Sequence, residues 1–376
     1  MVACAVQAQG IEEASVHADL QKYRLTAYYG GITPARIYID ADGDRSTGAA
    51  IHGIGADYWI EQEGLYRFED EAWVAEAPAT DKGGLIYWDI AKDALPLQPQ
   101  AVVIFTGVTG EVSAPVGWHP PSWVPGVNDH WQVQYTGPID INVPVSVMDI
   151  DLFETSPELI AELHRQGKRV VCYFSAGSFE DWRPDADAFP PEVIGLPLEG
   201  WAGEWWLDIR RIDVLAPIMA GRMDLAVSKG CDGVDPDNVD GYVNPTGFEL
   251  SAADQIRYNH LLATMAHERG LAVDLKNALG LFEDLEPYFD WVLNEECFAY
   301  GECQRLKVFS RLGKAVWGIS YVERRAEGPA KALQICPQAN RHGFAWLIKT
   351  LELDAWRIDC MDRSYFFYYL NRFRRH

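Results

Sequence analysis

Two patterns of apolar residues divide the chain. From about residue 12 to 110, "RIYID", "ADYWIEQ", "LYRFE", "GLIYWDI" and "AVVIFTG" are short and rich in β-branched and aromatic residues. Gly, Asp and Pro separate them, which is the pattern of strands and turns. Residues 12–115 are therefore expected to form a small all-β sandwich. A Pro-rich stretch, "SAPVGWHPPSWVPG", then lacks either periodicity and reads as a linker over 116–127. Beyond it, helical patterns alternate with short apolar runs. The joints "QGKRVVCYF", "KGCDGV", "RGLAVDLKN" and "LGKAVWGI" share one form: a helix closes on Gly167, Gly230, Gly270 or Gly313, and a strand follows. Gly suits the left-handed position just past a helix end. Helix starts agree, with Ser156 and Pro157 in "TSPEL" and a capping box in "SAAD".

Counting "WQVQY", "VSVMDID", "RVVCYF", "EWWLDI", "DGVDP", "AVDLKN", "FDWVLNE" and "AVWGISY" gives eight strands. Alternation with helices over roughly 250 residues predicts an α/β fold, a (β/α)8 TIM barrel over 128–376. An open doubly wound sheet is the second choice, because no Gly-rich phosphate loop follows the first strand.

The predicted strands end in polar residues after apolar bodies: Asp149 and Asp151, Tyr173 and Ser175, Asp208, Asp235 and Asp237, Lys276 and Asn277, Asn294 and Glu295, and Tyr321. In a barrel of this kind those ends form the functional face. The stretch "GVDPDNVDGY" is the densest case, with Asp235, Asp237 and Asp240 close together and no Lys or Arg among them. Pro236 cannot donate to a ladder, so the strand finishes there. Asp235 and Asp237 are two residues apart and share one side of an extended chain. Asp240 reads equally as a turn residue or a ligand contact.

Paired carboxylates are what glycosidic cleavage needs, one to protonate the leaving oxygen and one to attack or to activate water. No Gly-x-Ser-x-Gly elbow and no His-based triad competes with that reading. Two alternatives stay open. One is a polysaccharide-binding barrel without hydrolysis. The other is a Schiff-base aldolase using Lys276, which so many carboxylates would keep protonated.

The net charge of −23 over 376 residues argues against nucleic acid and suits a cationic ligand. No cofactor or metal is expected: Cys-x-x-Cys and His-Glu-x-x-His patterns are absent. Asp40, Asp42 and Asp44 stand at calcium-loop spacing, but Arg45 replaces the Gly and Ile51 the Glu of an EF-hand. A solvated Asx-rich turn is the preferred reading there, and calcium is left open. No run is long and apolar enough to cross a membrane. "AVQA" looks like the end of a signal peptide, so residues 1–11 are expected to be its remnant or a tail. Export predicts disulfides, expected as Cys297–Cys303 and Cys336–Cys360, with Cys4, Cys172 and Cys231 free. The location is then secreted, periplasmic or cell-surface.

"VMDIDLFET", "VVCYFSAGSFEDWRPDA", "EWWLDIR", "GVDPDNVDGYVNPTGF", "DLKN" and "NEECFAYGEC" together resemble glycoside hydrolase family 114, the endo-α-1,4-polygalactosaminidases. The resemblance runs in order from about Trp131 to Cys360 and leaves the first 115 or so residues aside. The early strands are similar, more loosely, to the carbohydrate-binding modules of extracellular glycosidases. The family resemblance implies a (β/α)8 barrel that cuts galactosamine chains internally. It implies an acidic pair, matched here by Asp237 of "DPDN" and Glu295 of "NEEC". Many relatives carry Glu where this chain has Asp235. Asp149, Asp151, Tyr173, Asp208, Asp235, Asn238, Lys276, Asn277 and Tyr321 are the candidate substrate contacts, and a cationic or partly acetylated galactosamine polysaccharide is the expected partner.

Overall fold

The computed structural model describes residues 11–362, apart from 19–21, 30–33, 62–63, 69–71, 83–84, 99, 108–111, 114–115 and 118. Cys4 and nearly all of the expected signal-peptide remnant lie outside the described residues. The chain forms two compact units, residues 1–120 and 121–376.

The first unit holds a two-stranded antiparallel sheet, Ala49–Ile51 with Ile54–Ala56, and two larger antiparallel sheets. One orders its strands Ile11–Ala18, Lys22–Tyr29, Leu85–Ala91, Ala79–Lys82. The other runs Val116–Gly117, Val102–Gly107, Pro34–Asp40, Tyr58–Glu61, Gly64–Arg67, Ala72–Glu76. Alternate residues point to one side of a strand. Leu25, Ala27, Trp88 and Ile90 of one sheet accordingly join Ile37, Ile39, Ile60, Val103 and Phe105 of the other in one buried cluster.

The second unit is built on a parallel sheet. Its strands are β1 (Trp131–Gln134), β2 (Val147–Asp151), β3 (Arg169–Ser175), β4 (Gly233–Asp237), β5 (Ala272–Lys276), β6 (Trp291–Glu295), β7 (Ala315–Tyr321) and β8 (Ala345–Lys349). They pair in that order, and Ile358–Asp359 adds antiparallel to β8. Helices α1 (Pro157–Arg165), α2 (Ile212–Lys229), α3 (Ala252–His267) and α4 (Gly328–His342) lie between strands in sequence. Ser156 caps α1 through Leu159 N–H, and Ser251 and Asp254 form the capping box of α3. Gly167, Gly230, Gly270 and Gly313 are all left-handed, at φ 71° to 92°.

Two expectations need correction. Glu204–Leu207, expected as the fourth barrel strand, instead pairs antiparallel with Ser178–Glu180 and Ile194–Pro197 in a separate small sheet. Its two edges are taken by hairpin-like partners, so it never reaches the parallel ladder. The eighth parallel strand is "AWLIK", a run absent from the eight expected; Gly343 at φ 73° closes α4 just before it. Between β1 and β8 there is no ladder. Instead the Trp131 indole donates to Ala345 O at 2.9 Å, and the Lys349 ammonium to Val133 O at 2.8 Å.

A second correction concerns sulfur. Cys172 is not free: it is bonded to Cys231, 59 residues away. Cys172 lies on β3 and Cys231 just before β4, and these strands are paired neighbours. Adjacency of parallel strands, hidden by a long crossover, brings the thiols together. Cys297–Cys303 and Cys336–Cys360 are also bonded.

Candidate active site

Residues of one parity along the parallel strands carry the site. At the start of the strands Val147, Val171, Ala272, Trp291, Ala315, Trp317 and Ala345 form an apolar cluster, with the Trp131 and Trp317 rings stacked at 4.8 Å. Two residues further on, the same faces bear Asp149, Tyr173, Asp235 and Asp274, and two further again Asp151, Ser175, Asp237 and Lys276. On β6 the sequence is Trp291, Leu293, Glu295. β2, β4 and β6 therefore become acidic as they reach their carboxyl ends, while β3, β5 and β7 end in Ser175, Lys276 and Tyr321. There a cavity of about 580 Å³ opens, lined by eight acidic side chains and only two basic ones, Arg183 and Lys276.

Beneath the cavity Asp149, Asp235 and Asp274 have no solvent exposure. Tyr135 donates its hydroxyl to Asp235 Oδ2 at 2.9 Å and lies 3.3 Å from Asp149 Oδ1. Asp274 receives no donor at either oxygen, and one oxygen each of Asp149 and Asp235 is likewise unserved. Burial and the charge of Asp235 push Asp149 and Asp274 well above the usual carboxylate range. Burial thus favours the neutral form of both, which avoids the cost of a bare buried charge. Asp235 is raised too, by burial, against the pull of Lys276.

Lys276 stands above this layer, 3.5 Å from both Asp235 Oδ2 and Asp237 Oδ1. Burial works to discharge it, but Asp235, Asp237 and Glu295 together raise it well above an ordinary lysine, so it stays a cation. Asp237, the last residue of β4, is about one-fifth exposed and faces the cavity. Glu295 ends β6 and accepts a hydrogen bond from the Tyr321 hydroxyl. Its carboxyl is raised by burial and by the charge of Asp237, with Lys276 opposing.

Backbone strain fixes these groups. Asn238, Asn277 and Glu296 each follow a strand end directly and take left-handed φ of 61°, 48° and 61°. Such positions cost about 1–3 kcal/mol each for a residue other than Gly and persist only where surroundings enforce them. Asn277 Oδ1 accepts from Glu295 N–H at 2.9 Å and from the Asn294 amide at 3.1 Å. Glu296 Oε1 accepts from Tyr321 N–H at 2.6 Å. The Asn238 amide reaches the hydroxyls of Ser175 and Ser178. These bonds tie each strand end to its neighbour, and Asn238 N–H itself donates to Asp237 Oδ1 at 2.7 Å.

The sequence candidates separate into groups. Tyr173, Asp237, Asn238, Lys276, Asn277, Glu295 and Tyr321 line the cavity. So does Asp151, but Arg183 holds both its oxygens, at 2.8 and 3.0 Å. Asp149 and Asp235 lie below the floor. Asp208 is placed apart: it follows the small antiparallel sheet, is gripped by Arg210 at 2.8 Å, and does not line the cavity. Other lining groups gave little signal in sequence. Glu180 and Arg183 form a buried pair at 2.8 Å, and Glu204 accepts from Ser178 at 2.9 Å. Burial pushes Glu204 up to about 7, and burial with the charge of Asp237 pushes Asp240 up to about 6. Trp182 and Trp201 present half-exposed rings at the rim. Asp274 could have been found, since it precedes Lys276 by two residues on a strand already read as inward-facing.

A curled row of parallel strand ends bearing a carboxylate pair, a buried counter-cation and rim aromatics has the features of a carbohydrate-cleaving enzyme. Residues 113–365 match glycoside-hydrolase family GH114. The chain belongs to that family. It is similar to Aspergillus fumigatus Ega3, whose crystal structure is a complex with galactosamine. That similarity has 39% identity and a TM-score of 0.61, covering 65% of this chain and 99% of that one. The glycoside hydrolase domain of PelA from Pseudomonas aeruginosa aligns at 14% identity and a TM-score of 0.48, covering 63% and 98%. No curated sequence matches the chain.

Proposed function

We propose that this glycoside hydrolase cleaves internal α-1,4 bonds in galactosamine-containing polysaccharide, with Asp237 and Glu295 as the acidic pair. The observation that carries the reading is the different setting of the two carboxyls in one cavity. Glu295 is half-buried, accepts from the Tyr321 hydroxyl and has its carboxyl raised, first by burial, which suits a group that must arrive protonated and give its proton to the leaving oxygen. Asp237 is open to the cavity with the Lys276 ammonium 3.5 Å away, a setting for the carboxylate that attacks the anomeric carbon or activates water. Lys276 serves as their counter-charge. A permanently protonated amine does not form a Schiff base, which disfavours the aldolase alternative.

The substrate class follows from charge. Deacetylated galactosamine is a cation, and an acidic cavity attracts it and fixes its register. The galactosamine bound to the similar Ega3 supports this choice. Trp182 and Trp201 supply flat faces for sugar rings. In this reading the eight parallel strands close as a (β/α)8 barrel, residues 12–115 serve as a carbohydrate-binding accessory domain, and 116–127 link the two. Three disulfides support an exported protein, and no described helix is long and apolar enough to cross a membrane.

The test is digestion of partly deacetylated galactosamine polymer, followed by reducing-end release and product length. Mixed oligomers early in the reaction are expected. Release of monosaccharide alone would reject internal cleavage, and no new reducing ends on any galactosamine polymer would reject the substrate class.

A further inference from the structure

We propose that the N-terminal unit binds one calcium ion between Asp40, Asp42 and Asp57. One carboxylate oxygen from each lies within 4.8 Å of the others. Strand pairing explains why two of them meet. Asp40 ends the strand Pro34–Asp40, Asp57 precedes Tyr58–Glu61, and these strands are antiparallel with Ile39 opposite Tyr58. Residues 40 and 57 therefore sit at the same end of one ladder, and Asp42 returns to them from the turn that follows.

Asp40 is the observation that points to a ligand. Its side chain is 1% exposed. Its Oδ2 accepts from Gly55 N–H at 3.2 Å, while its Oδ1 is shut off from solvent and meets no donor. The charges acting on it are those of Asp57 and Asp42, with no basic side chain among them. A buried carboxylate oxygen in that position is costly unless a cation or donor serves it. Asp57 Oδ2 accepts from Ala41 N–H at 2.9 Å. Asp42 Oδ1 accepts from Asp44 N–H at 2.8 Å and Thr47 Oγ1 at 3.1 Å, and its Oδ2 lies 3.2 Å from the same hydroxyl. A carboxylate offers about four acceptor sites, so Asp42 keeps one for a cation.

Close packing holds the three in place. A Cβ on Gly55 would lie 2.3 Å from Thr47 O and 2.7 Å from Asp44 O, so only Gly lets the turn press against this strand. The donors are all carboxylate oxygen, which selects a hard cation over zinc or copper. Calcium accepts irregular geometry and takes its remaining ligands from carbonyls and water, whereas magnesium demands a strict octahedron. The site is not an EF-hand: its third carboxylate comes from fifteen residues downstream, across a strand pair.

The experiment uses the full chain, stripped with EDTA and dialysed. Calorimetric titration with CaCl2 should show one ion per chain, with Kd of about 10⁻⁴–10⁻³ M, the range of extracellular modules. At about ten times Kd, the N-terminal unfolding midpoint should rise by about 5–10 °C. Asp57→Asn keeps an acceptor for Ala41 N–H and should weaken binding at least about tenfold. Asp42→Asn, at a more accessible position, should do the same and serves if Asp57→Asn fails to fold. Wild-type affinity in both folded variants, an absence of binding to the wild type at about 10 mM calcium, or an equal midpoint rise with MgCl2 would each overturn the proposal.

Discussion

Asp42 and Asp44 in the N-terminal unit accept hydrogen bonds from Asp44, Ser46 and Thr47, all within five residues and all at the surface. Asp149, Asp235 and Asp274 in the second unit are buried, come from three strands far apart in sequence, and leave oxygens that no donor reaches. The first arrangement is local turn chemistry, formed by near neighbours whether or not a cation also binds Asp42. The second exists only because strands converge, and it works against the stability of the fold that creates it. Where carboxylates are crowded and satisfied locally, the chain is making a turn. Where they are crowded and buried and come from strands remote in sequence, the surrounding core holds titratable groups in place for chemistry.

The largest expected effect falls on the pair exposed to the cavity. Asp237→Asn and Glu295→Gln keep size and shape, and each should lower turnover by at least about a hundredfold. Oligosaccharide binding should survive, because the other carboxylates remain. Near-normal turnover in either variant would move the search to Asp149, Asp151 and Glu296. Cys172 and Cys231 tie together the strands that carry Tyr173 and Asp235. Replacing both with Ala should lower stability by about 2–4 kcal/mol in denaturant titration. An unchanged midpoint would show that the ladder alone holds these strands.

Lys276→Met probes the counter-charge. Lys276 lowers the pKa of Glu295, so its loss raises that pKa further and keeps the acid protonated to higher pH. The basic limb of the kcat/KM profile should move up by about one pH unit. A downward movement would mean another group limits activity at high pH. Glu204 isolates the stability cost of a buried carboxyl. Its folded pKa, about 7, exceeds the unfolded value, so its contribution is full below the unfolded pKa and is lost as pH rises through 7. Glu204→Gln should flatten that decline and be the more stable protein at pH 8, by at least about 1 kcal/mol. The smallest effect belongs to the surface turn. In calcium-free buffer, Asp44→Ala should leave the unfolding midpoint unchanged, and a clear drop would erase the contrast between the two regions.

The sequence alone was enough to place the helix ends, because capping and left-handed Gly are local: Ser156, Ser251 and the four closing glycines act through neighbours a few residues away. It also marked seven of the eight parallel strands and the cavity-lining side chains at their ends, since a two-residue period aims Asp237, Lys276 and Glu295 inward whatever the fold around them. Only the tertiary structure decided which strands share a ladder. "EWWLDI" and "AWLIK" are both short apolar runs, and nothing within either says that the first joins a small antiparallel sheet and the second the parallel one. Asp208 left the site with the first. The bond between Cys172 and Cys231, the grip of Arg183 on Asp151, and the raised carboxyls of Asp149 and Asp274 were equally beyond reach. Each depends on distances between residues remote in sequence and on exclusion of water, and both arise only when the strands have packed.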